Sequence, residues 1–107
     1  ADRELSTTAS YQNPWHPAVL RLIKLIGDAG AKLGKPVGVC GEAASDPLLA
    51  VVLVGLGATT LSMAPAALVD VRAELLKHSL MDAKRLAQFA LSATSAASAR
   101  EIVVENC

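Results

Sequence analysis

Cys40 closes a short apolar run, Pro36-Val37-Gly38-Val39-Cys40, and is followed at once by Gly41 and Glu42. A thiol there stands where a strand stops and a loop begins, the place where chemistry collects in parallel α/β folds. Taken alone it is a weak signal: acid and nucleophile are both open to a thiol, and a free cysteine is most often an inert buried side chain. Arg3, far upstream, is the second candidate, and alone it reads as a solvated terminal charge. The other chemically capable residues have bland readings. His16 precedes Pro17 at a helix start, Lys77-His78 ends a helix with favourable positive charge, and Cys107 is an incidental terminal thiol. The two cysteines form no CxxC and no close pair, which fits a reducing, cytoplasmic setting.

The elements that must position Cys40 follow from apolar periodicity. Residues 1–16 are rich in Ser, Thr, Gln, Asn and Pro and read as a loop pinned by Tyr11 and Trp15. Over residues 17–33, Ala18, Leu22, Leu25, Ile26 and Ala29 share one helical face, with Gly34 as the residue that stops the helix. Residues 36–40 are unalternating and apolar, as buried parallel strands are, and Gly38 implies a close neighbour. Ser45 or Asp46 can cap the next helix, 46–56, with Pro47 in its first turn; that helix is apolar almost all round. A second strand is expected at 59–63. Helices are expected at 67–78, with Leu68, Val71, Leu75 and Leu76 inward, and at 82–93, capped by Asp82, with Leu86, Phe89 and Ala90 inward. Residues 94–98 read as a linker in a tail, 94–107, that ends in a helical turn or two. Helix–strand–helix–strand–helices is an α/β order with parallel strands. Two strands leave free edges exposed, so the chain reads as an excerpt; the opening Ala1-Asp2-Arg3, without an initiator methionine, reads the same way.

Composition narrows the function. Ten basic and ten acidic residues cancel, so there is no general attraction to nucleic acid or to an anionic membrane. The run from Pro47 to Val69 is low in charge but interrupted by Gly55, Gly57, Ser62 and Pro65, which argues against a membrane span. With 52% hydrophobic and only 19% charged residues, the chain is more apolar than a small domain should be. Some of that surface belongs against missing structure or a second copy.

The ordered set Ala1-Asp2-Arg3, Pro17-Ala18-Val19-Leu20-Arg21-Leu22-Ile23, Gly34-Lys35-Pro36-Val37-Gly38-Val39-Cys40-Gly41-Glu42, Gly55-Leu56-Gly57 and Leu61-Ser62-Met63 resembles the C-terminal end of the Enzyme I family of the bacterial sugar phosphotransferase system, the phosphoenolpyruvate–protein phosphotransferases. The resemblance covers roughly residues 1–93. It implies the C-terminal quarter of a phosphoenolpyruvate-binding (β/α)₈ TIM barrel, with two parallel strands and flanking helices, here the seventh and eighth. It implies that Cys40 donates a proton to the enolate of pyruvate; a thiol of pKa about 8.5 holds its proton at neutral pH. It also implies that Arg3 grips the substrate phosphate through its guanidinium fork, and that Gly41 and Glu42 are positioning residues. Magnesium is the implied cofactor, with its ligands outside this segment, and no metal ligand is assigned within it. The implied partners are phosphoenolpyruvate, the carrier HPr and a second copy of the chain. Neither His16 nor His78 matches the family's phosphorylated histidine, and the segment alone is expected to be inactive.

Two other readings stand beside this one. Pyruvate phosphate dikinase and phosphoenolpyruvate synthase share the barrel, but Ala43-Ala44-Ser45-Asp46-Pro47 and Ser62-Met63-Ala64-Pro65 differ from their usual patterns. A non-catalytic self-association module would account for the high apolar fraction.

Overall fold

In the computed structural model, residues 13–107 are described; Arg3 and Tyr11 lie outside them. Helix α1, Pro17–Leu33, starts where the Nδ1 of His16 accepts from the Ala18 amide at 3.0 Å, and stops at Gly34, whose φ is 66°. Strand β1, Gly38–Cys40, runs parallel to strand β2, Thr60–Ser62, in the register Gly38↔Thr60, Val39↔Leu61, Cys40↔Ser62. Before the ladder, Thr59 Oγ1 accepts from Val37 N at 2.8 Å and donates to Val37 O at 3.1 Å. Gly38 has the close neighbour expected of it, since a Cβ there would stand 3.0 Å from Thr60 Oγ1. The architecture is thus α/β, with helices flanking two parallel strands.

Between the strands lie a single turn, α2 (Glu42–Ser45), and helix α3 (Pro47–Gly55). Leu49 to Leu53 are all buried, because α3 has structure on every side. Helix α5, Leu80–Ser92, is its chief neighbour, helix α4, Pro65–Leu75, flanks it, and helix α6, Ala96–Asn106, packs on α5. Among the described residues the core is built of Leu, Val and Ala, with Trp15 as its one buried aromatic.

Helix α1 reaches this core through Leu20 and a pair of buried glycines. Leu20, Gly27 and Gly30 are buried, whereas Leu22, Leu25 and Ile26 are 58%, 68% and 50% exposed. The apolar face read from the sequence is therefore the face that no described element covers. A Cβ on Gly27 would lie 2.1 Å from Leu56 O, and Gly57 takes φ 112° against it. Backbone meets backbone there, so the small side of the helix faces in. In α4, Val71 is buried and Leu75 half-buried, but Leu68 and Leu76 are exposed, contrary to the inward placement expected of them.

Two helix starts also differ from expectation. Ser79, not Asp82, caps α5: its hydroxyl accepts from Asp82 N at 3.0 Å. That leaves the Asp82 carboxylate available for other partners. Residues 94–98 are not a linker. Ser95 and Ser98 exchange reciprocal hydrogen bonds, each 3.1 Å from the other's amide, and this box starts the eleven-residue α6.

Candidate functional site

Cys40 ends β1, and its side chain is exposed. Alternation along a strand explains this. Val39 and Leu61 turn toward the helices and pack on the core, while Gly38, Cys40, Thr60 and Ser62 lie on the open face. The next residue, Gly41, has φ 85° and ψ −151°, a region reserved for glycine. Its amide still donates to Ser62 O at 3.2 Å, and its carbonyl accepts from Ser45 Oγ at 3.0 Å. The chain therefore leaves the sheet in a sharp, doubly tethered bend directly after the thiol. Glu42 opens α2 and is exposed.

Among the described residues no atom beyond the two chain neighbours would lie within 4 Å of a Cβ on Gly41, so Gly41→Ala is expected to strain only the backbone. It is expected to destabilise the fold by about 1–3 kcal/mol. A urea midpoint unchanged from wild type would show that the bend relaxes without cost.

Ser45, read as a possible cap, back-bonds to Gly41 instead, and Asp46 caps α3. Its Oδ1 accepts from Leu48 N and Leu49 N at 3.2 and 3.3 Å, and its Oδ2 accepts from Trp15 Nε1 at 2.9 Å. One carboxylate thus joins the approach to α1, the turn after Cys40 and the buried helix. The link between Trp15 and Asp46 spans 31 residues, and no local pattern announces it.

A second polar cluster lies elsewhere, where the end of α4, the start of α5 and the end of α6 meet. His78, whose side chain is 7% exposed, places Nε2 2.8 Å from Glu74 Oε2 and Nδ1 2.5 Å from Asp82 Oδ2. Cys107 Sγ stands 3.8 Å from the same Nε2. Arg85 Nη2 donates to Asp82 Oδ1 at 2.7 Å and to Asn106 O at 2.8 Å, and Lys77 pairs with Glu74 at 3.6 Å. Sequence reading missed this cluster. Its one local signal was the spacing of four between Glu74, His78 and Asp82; the three do not share a helical face, because His78 lies in the break between α4 and α5, and Cys107 comes from 29 residues away.

The hydrogen bond to Asp82, then that to Glu74, holds His78 above its ordinary 6.5 against the opposing effect of burial. The same contact with His78 holds Glu74 and Asp82 below their ordinary 4.5 and 3.8, with Lys77 and Arg85 assisting. Partial burial first, then the two carboxylates, push the Cys107 thiol up. A raised histidine contributes stability that is complete below pH 6.5 and is lost as pH rises through its folded value; the lowered acids contribute above about 4.5 and lose it on acidification. In metal-free buffer, the bridge is therefore worth most between about pH 4.5 and 6.5. Urea midpoints should fall above that window more steeply in the wild type than in His78→Gln, and parallel curves would overturn this.

The residues proposed from sequence are only partly brought together. Cys40, Gly41 and Glu42 are consecutive at one strand end, while Arg3 lies outside the described residues. The one grouping of three metal-ligating side chains among the described residues is Glu74, His78 and Cys107. A thiol and an imidazole do not suit magnesium, which demands oxygen ligands.

Residues 1–80 match the family profile described as PEP-utilising enzyme, PEP-binding domain. Among similar proteins, the phosphoenolpyruvate-protein phosphotransferase of Streptomyces coelicolor is 51% identical over 100 residues, 94% of this chain and 18% of that protein. The protein of the same name from Geobacillus stearothermophilus is 39% identical over 92 residues, 86% of this chain and 16% of its own length. A multiphosphoryl transfer protein of Xanthomonas campestris is 39% identical over 105 residues, 98% of this chain and 12% of that protein. The chain thus spans less than a fifth of the length of these relatives. With a match over three-quarters of its length, the chain belongs to the PEP-utilising enzymes, through their PEP-binding domain.

Proposed function

We propose that the chain is the C-terminal part of a phosphoenolpyruvate–protein phosphotransferase, and that Cys40 is its proton donor to the enolate carbon. The observation that carries this reading is the thiol at the C-terminal end of a parallel strand, on the open face of the sheet, followed at once by a glycine-only bend. Open space in front of a strand end is where substrates of parallel α/β folds sit. In the reaction, the P–O bond of phosphoenolpyruvate breaks as the phosphoryl group passes to a histidine elsewhere in the protein. The enolate left behind takes the Cys40 proton on its methylene carbon and becomes pyruvate, and the thiolate recovers a proton from solvent. Arg3 holds the phosphate, Gly41 sets the direction of the thiol, and Glu42 orients its neighbours. The phosphohistidine then passes its group to HPr in the sugar phosphotransferase system.

We place the magnesium ligands outside this chain, as the family resemblance implies. No described helix is long and apolar enough to cross a membrane; a cytoplasmic setting is the reading that two free thiols favour.

The same proposal places β1 and β2 as neighbouring strands of a (β/α)₈ barrel. An apolar groove of about 310 Å³ runs beside β2, lined by Leu61 of the strand, by Thr59 and Met63 on either side of it, and by Leu68, Val71 and Leu75 from α4. A further strand pairing with β2 would cover it. The uncovered Leu22, Leu25 and Ile26 face of α1 supports contact with the rest of the protein or with a second copy, hence a dimer. Incubated with phosphoenolpyruvate and magnesium, the 107-residue chain alone should release no pyruvate, whereas the full-length protein with HPr should. Release by the short chain would overturn the shared-site reading.

A further inference from the structure

We propose that Glu74, His78 and Cys107 form a zinc site, separate from the Cys40 strand end. Their ligand atoms, one carboxylate oxygen, one imidazole nitrogen and one sulfur, all lie within 4.8 Å of one another. Zinc binds sulfur at about 2.3 Å and nitrogen or oxygen at about 2.0–2.2 Å, so tetrahedral ligand atoms stand about 3.4–3.6 Å apart. The sulfur is already 3.8 Å from His78 Nε2. The Nε2 to Glu74 Oε2 separation, 2.8 Å, is that of a hydrogen bond and need widen only by about half an ångström to admit the ion.

The surroundings match what a histidine ligand requires. Metal-bound imidazoles donate their second N–H to a carboxylate, which fixes the ring and its tautomer. Here Nδ1 already faces Asp82 at 2.5 Å, leaving Nε2 directed at Glu74 and Cys107. Arg85 ties this outer carboxylate to the third ligand, because one nitrogen bonds both Asp82 and the carbonyl of Asn106, the residue before Cys107. Asn106 is itself held by Ile102 O at 2.8 Å. Three separate chain segments are therefore locked around one point.

The donor set selects the ion. Thiolate and imidazole favour zinc over magnesium or calcium, which take oxygen. A thiolate, a carboxylate and a neutral imidazole balance the two charges of the ion; binding displaces the thiol proton, and any proton on Nε2, to solvent. Three protein ligands leave the fourth position to water, on the side where Cys107 is exposed. The site joins the ends of α4 and α6 to the start of α5, so the ion would act as a clasp on the helical layer.

The test is a titration of the full-length protein with cobalt(II), the spectroscopic stand-in for zinc, in a Cys40→Ser background that removes the other thiol of this segment. With magnesium in excess to occupy its own site, one equivalent should bind with tetrahedral visible bands and a thiolate-to-cobalt charge-transfer band, and zinc should displace it. Cys107→Ser should abolish the charge-transfer band, His78→Gln should abolish tight binding, and Asp82→Asn should weaken it by about 10–100-fold. X-ray absorption of the zinc-loaded protein, which needs no variant at the cluster, should show one sulfur in the first shell. A cobalt spectrum that is octahedral, or one unaltered by Cys107→Ser, would overturn the proposal, as would a zinc shell without sulfur.

Discussion

Replacing Cys40 by alanine in the full-length protein should lower the turnover of phosphoenolpyruvate to pyruvate by about 10²–10⁴-fold, the usual contribution of a positioned general acid. The loss should fall on kcat and leave KM nearly unchanged, because in the proposed reaction the thiol would act on the enolate after the phosphoryl group has gone. Cys40→Ser should do little better: a serine hydroxyl is a far weaker acid than a thiol. Stability should hardly move, since Cys40 is exposed and exposed substitutions usually lie within about 0.5 kcal/mol. The two readouts together separate chemistry from folding. A Cys40→Ala enzyme with kcat close to wild type would remove the proton-donor role, and one with a raised KM alone would reassign Cys40 to binding.

Gly27→Ala should destabilise the fold by about 3 kcal/mol, the upper end of what overpacking costs. One added methyl group would stand 2.1 Å from Leu56 O and 3.0 Å from Gly57 Cα. Both obstacles are backbone, and Gly57 already occupies φ 112°, so neither can rotate aside as a side chain would. Relief requires α1 to lift off the turn between α3 and β2, which would loosen Leu20 as well. Ala29→Val supplies the comparison, because Ala29 is exposed on the same helix and should change stability by no more than about 0.5 kcal/mol. Chemical denaturation of the two variants decides it; equal midpoints would mean that α1 docks less tightly than this contact implies.

The parallel α/β order was legible from the sequence because short apolar runs and helical periods are local properties, set by residues within a turn or two of each other. The cap at Asp46 before Pro47, the stop at Gly34 and the bend at Gly41 belong to the same class. The alternation that leaves Cys40 on the open face was not legible: residues 36–40 read as an unalternating buried strand, whereas Gly38 and Cys40 are exposed and only Val39 packs on the core. Reading which apolar residues are buried was less successful. Periodicity finds an apolar face but does not say what covers it. In α1 that face is uncovered among the described residues, and the docking side is Pro17, Leu20 and two glycines.

What the sequence by itself determined here is therefore local: the helices and strands in their order, the thiol at a strand end, and the ordered residues by which the family is known. What only the tertiary structure decided is which distant groups meet. Trp15 finds Asp46 across 31 positions, and Cys107 finds His78 across 29. Each meeting depends on how whole helices pack around α3. That packing is decided by backbone approach at Gly27 and Gly57 and by the fit of small side chains, neither of which leaves a periodic trace in the chain.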